Sequence, residues 1–243
     1  LSLATWEEVG NKKYSDESGK SRRRTPDGSV RSDNPGLGGV VSHVCTDGHR
    51  NPQGLGFVDG TLYSSEQGPS SDDEINILVS GGNYGWPHVA GFQDDNAYRY
   101  ANYSAASNCA DLKFDANVIP NGVPVQKESE WNAPGNFHPP AKTFYTVPEG
   151  YNYSDGRCAG LPYLCWPTIA PASITYYPEK GAIPGWGNSL LVTSLKHGAL
   201  YRMRLSAEKK QIQGYTEVLF NLPTRYLLAR VSLERKRITT PTE

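Results

Sequence analysis

Residues 60–79 read GTLYSSEQGPSSDDEINILV, and residues 188–205 read NSLLVTSLKHGALYRMRL. Each is a short apolar run, a polar connection and a second apolar run, which is the pattern of strand, loop and strand. The first unit extends backwards. LGFVDGTLYSS (55–65) sets Asp59-Gly60 between two apolar runs, and both residue types tolerate the positive φ that a two-residue hairpin demands. INILVSGG (75–82) and GGVVSHVCT (38–46) read as further short strands. Two strand–loop–strand units of like pattern predict repeated four-stranded antiparallel blades, so an all-β β-propeller is the expected fold, with a β-sandwich as its alternative. Amphipathic periods long enough for more than a few helical turns are missing. Residues 1–25 and 206–243 carry the least pattern.

Composition agrees. Of 243 residues, 37% are hydrophobic and 11% aromatic, with 25 Gly, 18 Pro and a single Met, a mixture suited to short strands joined by turns. A formal net charge of −1 gives no electrostatic argument for nucleic acid or a membrane surface. The run Arg22-Arg23-Arg24 reads as a solvated loop. No stretch approaches the roughly 20 apolar residues of a membrane-spanning helix. The chain starts without Met and without a charged end followed by an apolar core, so it reads as a mature or truncated product. CAGLPYLC (158–165) could close a short disulfide loop, whereas Cys45 and Cys109 have no evident partners. With the sequons at Asn102 and Asn152, this points to an oxidising compartment.

Chemistry concentrates in two segments, GHRNPQG (48–54) and SEQGPSSDDEIN (65–76). A Gly-Pro corner fixes carbonyl direction, and Asp72, Asp73 and Glu74 add negative charge, a combination that hard, oxygen-seeking calcium accepts. The spacing is not that of an EF-hand, and the plain structural reading is an acidic surface turn whose carboxylates cap backbone donors. VAGFQDD (89–95) with KESEW (127–131) is a second calcium candidate. His43 and His49 lack the spacing of a zinc site. Neither a Gly-x-Ser-x-Gly elbow, a Walker A loop nor GxGxxG is present, which argues against hydrolase and nucleotide chemistry. Arg50, Lys196, Arg225, Tyr163 and Trp166 fall in loops between expected strands. Singly they read as surface ion pairs or a core tryptophan. Converging at one end of a propeller, they would suit a ligand with several carboxylates and a flat body, or a sugar. The long Tyr-, Asn-, Gly- and Pro-rich stretch 83–165 is expected to fold over the blades, held by a cation or a disulfide.

Taken together, VVSHVCTDGHRNPQGLGF (40–57), SEQGPSSDDEINILVSGGNYGWPHVAG (65–91), YRYANYSAAS (98–107), GVPVQKESEW (122–131), YNYSDGRCAGLPYLCWPTIAP (151–171) and LLVTSLKHG (190–198) resemble the soluble quinoprotein glucose dehydrogenases, within the wider group of glucose/sorbosone dehydrogenase-like propellers. The likeness runs over about residues 27–226 and corresponds to the family's C-terminal half. It implies a six-bladed periplasmic or secreted propeller that oxidises aldoses such as glucose at C1 to lactones, using pyrroloquinoline quinone (PQQ) and Ca2+. The electrons pass to an external acceptor. Gly68 and Pro69 match the pair whose carbonyls hold the cofactor calcium. Arg50 matches the catalytic arginine near the C5 carbonyl of PQQ, and Asn51, Thr168, Lys196 and Arg225 match further cofactor contacts. Tyr163 and Trp166 match aromatics at the mouth of the sugar site. Ala90, Phe92, Asp94 and Glu128 match a second, structural calcium site, and Cys158 with Cys165 the family's disulfide.

The same resemblance marks two departures. The family's histidine base, which takes the anomeric hydroxyl proton, has no match in residues 1–26. Leu227 stands where the family places a second PQQ-binding arginine. The chain therefore reads as a single propeller domain (1–243), or a fragment of one, with poorly matched ends at 1–26 and 228–243. Its expected partners are an aldose, an electron acceptor, and either a second copy or a missing N-terminal half. A non-catalytic, calcium-stabilised sugar-binding or interaction module is the alternative function.

Overall fold

The computed structural model describes residues 19–107, 112, 118–158, 160–196, 198–222, 225–232 and 237–240. In chain order the strands are β1 (Ser21–Arg22), β2 (Val44–Thr46), β3 (Pro52–Val58), β4 (Thr61–Glu66), β5 (Asp73–Leu78), β6 (Tyr100–Ala101), β7 (Val125–Gln126), β8 (Lys142–Phe144), β9 (Pro171–Tyr177), β10 (Ser189–Ser194), β11 (Leu200–Leu205), β12 (Ile212–Leu219), β13 (Arg230–Val231) and β14 (Ile238–Thr239). Two four-stranded antiparallel sheets dominate, ordered β3-β4-β5-β8 and β9-β10-β11-β12.

The Asp59-Gly60 hairpin forms as expected. Val58 pairs with Thr61 across it, and both turn residues take positive φ (44° and 88°). GGVVSHVCT is only partly extended. Leu37–Gly39 forms a 3-10 turn, Val40 and Val41 stay exposed, and the strand is confined to Val44–Thr46. The Gly36, Gly38 and Gly39 backbone favours a turn over a ladder there.

The two sheets stack face to face. Alternation along the strands sends Val58, Tyr63, Ile75 and Phe144 from the first sheet against Ile174, Leu190, Val192, Tyr201, Met203 and Leu205 from the second, forming the main core. The innermost strands β3 and β9 approach so closely that Gly54 is obligatory: a Cβ there would lie 2.5 Å from the Ala172 carbonyl oxygen and 2.8 Å from the Ile174 nitrogen. The opposite face of the second sheet buries Tyr177, Leu191 and Leu200 beneath Ala229 and beneath Val231 and Ile238 of the antiparallel pair β13-β14.

The segment between β5 and β8, expected to be held by a cation or a disulfide, carries strands and a small core of its own. It contains the β6-β7 pair with a small core of Ala101, Ala106 and Val123, then returns as β8 to complete the first sheet. No described helix is long and apolar enough to cross a membrane.

Candidate functional site

The loops at the β4–β5 end of the first sheet and at the entry to β9 meet in one place. Their meeting is organised by the carboxylates of the acidic stretch. Glu66, Asp72, Asp73 and Glu74 are all buried, which corrects the expectation of an acidic surface turn. Their partners are what bring them inside. Asp73 accepts backbone N–H bonds from Gly68 (2.9 Å), Ile169 (2.6 Å) and Ala170 (2.8 Å), so one carboxylate ties the Gly-Pro corner to the start of the second sheet. Glu66 accepts from the backbone of Arg50 and from that of Asn51 (3.1 Å). Glu74 accepts from the Gly91 N–H at 2.6 Å and from the Asn76 amide at 2.9 Å. The capping half of the structural reading therefore holds, with donors drawn from distant loops. What remains for a cation at this corner is carbonyl oxygen.

Burial raises Asp72, Asp73 and Glu74. Asp73 is pushed up to about 7 against its three N–H bonds, and Asp72 up to about 6. Burial, and behind it the neighbouring Glu66 charge, holds Glu74 well above the usual carboxylate range.

A small pocket opens among Arg50, Glu66, Gly68, Pro69, Glu74 and Trp86. The Arg50 guanidinium donates to the Gln67 carbonyl at 3.1 Å and lies 5.5 Å from the Trp86 ring centroid. Burial lowers its pKa. Asn51 donates to Gln67 Oε1 at 3.3 Å. On the other side of Asp73, Lys196 leaves the end of β10 and donates to the Trp166 carbonyl and to Thr168 Oγ1 (3.0 Å). Burial lowers Lys196 to about 8, with the Asp73 charge opposing. Arg50, Asn51, Gly68, Pro69, Thr168 and Lys196 are thus brought to one constellation.

The remaining expected residues lie around it or apart from it. Trp166 is half-buried, its indole N–H has no hydrogen-bond partner among the described residues, and its ring meets Tyr153 edge-on at 6.4 Å. Tyr163 is 48% exposed on the loop closed by the Cys158–Cys165 disulfide, which is present with Cα atoms 6.0 Å apart. Arg225 is exposed, next to Tyr226, whose N–H bonds to the Ser194 carbonyl at the end of β10. Leu227 is 41% exposed. Cys109 lies outside the described residues, and Cys45 is a free thiol.

The second calcium candidate gathers separately. Fully buried Glu128 accepts N–H bonds from Ala90 (3.0 Å), Asp95 (3.0 Å) and Asp94 (3.3 Å), and the Phe92 carbonyl accepts from Asp94 at 2.9 Å. Burial pushes Glu128 up to about 7. The Asp94 carboxylate is exposed and accepts the Asn96 N–H at 2.9 Å. Among the described residues, no group of three or more His, Cys, Asp or Glu side chains is placed to hold a metal. Any cation at either place would therefore lean on backbone oxygen.

Sequence reasoning missed Glu66, and missed which distant loops it and Asp73 would hold. Their signal is weak because each acts on a loop remote in sequence; only the clustering of acids beside Gly-Pro hinted at it.

Four-stranded antiparallel sheets stacked face to face, with polar loops gathered at one end, are blades of a β-propeller. The family described as Glucose / Sorbosone dehydrogenase matches residues 6–128, and the chain belongs to it. It is 51% identical over 226 residues to the quinoprotein glucose dehydrogenase B of Acinetobacter calcoaceticus, covering 91% of this chain and 47% of that one. The chain thus spans about half the length of that relative. Among solved structures it resembles a glucose dehydrogenase (TM-score 0.62, 21% identity, 100% of this chain and 59% of that one). It also resembles the PQQ-bound aldose sugar dehydrogenase of Streptomyces coelicolor (TM-score 0.53, 20% identity, 88% and 43%). At those identities the structures speak for the fold.

Proposed function

We propose that this chain forms the cofactor-binding part of a quinoprotein sugar dehydrogenase, which oxidises aldoses of the glucose type at C1 to lactones and passes the electrons to an external acceptor. The observation that carries the reading is the convergence of Arg50, the Gly68-Pro69 corner, Thr168 and Lys196 around the buried Asp73.

The residues fit PQQ. Among the described residues, the hydrogen-bond acceptors of the half-buried Lys196 ammonium are the neutral Trp166 carbonyl and Thr168 hydroxyl. A half-buried cation whose hydrogen bonds go to neutral oxygens, with the Asp73 charge its nearby counterweight, still favours an incoming carboxylate. The indole N–H of Trp166 is a further donor without a partner among the described residues. The residues also fit calcium, since buried Glu66 and Glu74 repel one another beside the carbonyls of Gly68 and Pro69, and the donors are all hard oxygens. Ala90, Phe92, Asp94 and Glu128 would supply a second calcium with the same kind of donor.

PQQ bound here would supply the two-electron acceptor, with calcium as the Lewis acid that polarises it. The protein's part is electrostatic and geometric. Arg50, held on its backbone by Glu66, presents a fixed positive charge beside the Gly-Pro corner, where it stabilises developing negative charge without reorganising. Lys196 and Thr168, with Asn51 and Arg225, orient the ligand's polar edge. Tyr163 and Trp166 offer aromatic faces to the sugar and exclude water.

The anomeric proton needs a base. His49 is committed to Thr46 and Glu66, His88 stacks on Trp131, and His138 lies beside Tyr84. Turnover in this proposal therefore takes its base from outside these three. The disulfide and the periplasmic or secreted location expected of the family agree with an oxidising compartment.

The test is titration of PQQ into calcium-loaded protein, then glucose, with the quinone absorbance followed. Binding and glucose-dependent bleaching are expected of the dehydrogenase. Calcium-dependent binding without bleaching would leave a cofactor-binding remnant without turnover. Absence of PQQ binding would sink the dehydrogenase and leave the calcium-stabilised sugar-binding or interaction module, the second reading, which the exposed Leu227 in place of a PQQ-binding arginine favours.

A further inference from the structure

Behind Arg50 runs a line of buried polar groups of which the proposed chemistry uses only the last, Glu66. Ser21 of β1 pairs with Thr46 of β2, and their hydroxyls bond to one another. Thr46 Oγ1 stands 2.8 Å from His49 Nε2, and His49 Nδ1 stands 3.0 Å from Glu66 Oε2. Glu66 Oε1 then accepts the backbone N–H groups of Arg50 and Asn51. All four side chains are buried, His49 to 1% exposure. The imidazole lies flat on Tyr84, with centroids 4.6 Å apart and planes 16° apart. Tyr84 is itself fixed, its hydroxyl donating to the Ile77 carbonyl at 2.7 Å and accepting the Val79 N–H at 2.8 Å.

Two features set this apart from ordinary core packing. The first is that the line satisfies every member in one direction. With the proton on Nδ1, an assignment made from its partners, Ser21 donates to Thr46, Thr46 to Nε2, and Nδ1 to Glu66. The second is the division of the Glu66 carboxylate. One oxygen is anchored by the ring and the other grips the two amides that carry Arg50 and Asn51. Because the carboxylate is planar, fixing Oε2 fixes the direction of Oε1.

We propose that His49 is a positioning residue for Arg50: through Glu66 it fixes the backbone at residues 50–51, and with it the reach of the guanidinium into the pocket beside Gly68 and Pro69. The role assigned to that reach rests on the reading of the pocket as a PQQ site. A histidine behind a carboxylate acts here as an outer partner does behind a ligand, where loss typically costs about 10–100-fold in affinity or activity.

The test compares the full chain with His49→Phe and His49→Asn by amide hydrogen exchange. Phenylalanine keeps a ring on Tyr84 but has no donor, whereas the asparagine amide can stand where Nδ1 stood. In His49→Phe, exchange at Arg50 and Asn51 is expected to quicken about 10-fold, as for local opening, while Tyr63 and Ile75 in the β4–β5 ladder keep their protection. His49→Asn is expected to stay near the wild type. Equal loss at Tyr63 and Ile75, or unchanged protection at Arg50 and Asn51 in His49→Phe, overturns the proposal. PQQ titration gives the second arm: about 10-fold weaker binding by His49→Phe, restored in His49→Asn, is expected. Unaltered affinity in His49→Phe overturns the positioning role. Wild-type protein that takes up no PQQ sinks the cofactor reading instead, and the exchange comparison still decides whether His49 holds residues 50–51.

Discussion

The two large sheets share a strand pattern and differ in what they bury. In β9-β10-β11-β12, every residue of β10 is buried, and the core positions are Leu190, Leu191, Val192, Leu200 and Met203. Its buried charge is Arg202, matched by the Glu217 carboxylate on the neighbouring strand and lying 5.6 Å from the Trp186 ring centroid. In β3-β4-β5-β8, the buried positions toward one end are instead Ser64, Ser65, Glu66, Asp73, Glu74 and Asn76, spread over both faces of the sheet. One sheet is a scaffold held by hydrocarbon. The other gives up hydrocarbon at its loop end and holds distant backbone with carboxylates. Burying an acid is unfavourable unless its oxygens are well bonded, so a site built this way depends on each bond being made.

That contrast can be broken by substitution. Asp73→Ala leaves three N–H groups, that of Ile169 buried and those of Gly68 and Ala170 partly so, without an acceptor, and a loss of about 3–5 kcal/mol in urea unfolding is expected, together with loss of PQQ binding. A loss below 1 kcal/mol would mean that water replaces the carboxylate and that the site is less dependent than described. Leu191→Ala is expected to cost about 3 kcal/mol by cavity formation and to leave PQQ affinity unchanged, because Leu191 faces the β13-β14 pair. A change in affinity would erase the distinction between scaffold and site. Opening the Cys158–Cys165 loop by Cys158→Ser is expected to cost about 2 kcal/mol, read as a shift in the unfolding midpoint, since only seven positions separate the two residues.

The smallest effect is one of pH. Lys196 is lowered to about 8 in the folded chain from 10.5, so between those values the native state holds fewer protons than the unfolded one. Stability should therefore rise with pH from about 8 to 10.5, and the rise should vanish in Lys196→Met. Affinity for PQQ should move the opposite way, falling as the ammonium is lost above about 8. A pH-independent affinity would remove Lys196 from the ligand's contacts.

Much of the fold could be read from local chemistry. The paired units at 60–79 and 188–205 became β4-β5 and β10-β11, because alternating apolar residues and turn formers act within a few positions of one another. Strands β8 and β12 went unread for opposite reasons. Three residues, Lys142–Phe144, are too short to show a period, and β12 lies at the sheet edge with Tyr215 78% exposed, so it needs little apolar content. At the site, resemblance supplied Arg50, Gly68 and Lys196, and the structure brought them together. The burial of Asp73 could not be foreseen, since two of the amides that bind it lie at Ile169 and Ala170, nearly a hundred residues downstream.

The late return of β8 gives the molecule a history as well as a shape. The second sheet closes through successive hairpins, so each strand finds its neighbour soon after it is made. The first sheet has its third strand by Leu78 but waits until Lys142 for its fourth, with a whole subsidiary pair folded in between. Closing so long a loop is entropically slower than closing a hairpin. The sheet that bears the chemistry should therefore mature last, and pulse-labelled hydrogen exchange should find β10-β11 protected before β5-β8; the reverse order would show that the inserted segment folds first and delivers its strand ready-made.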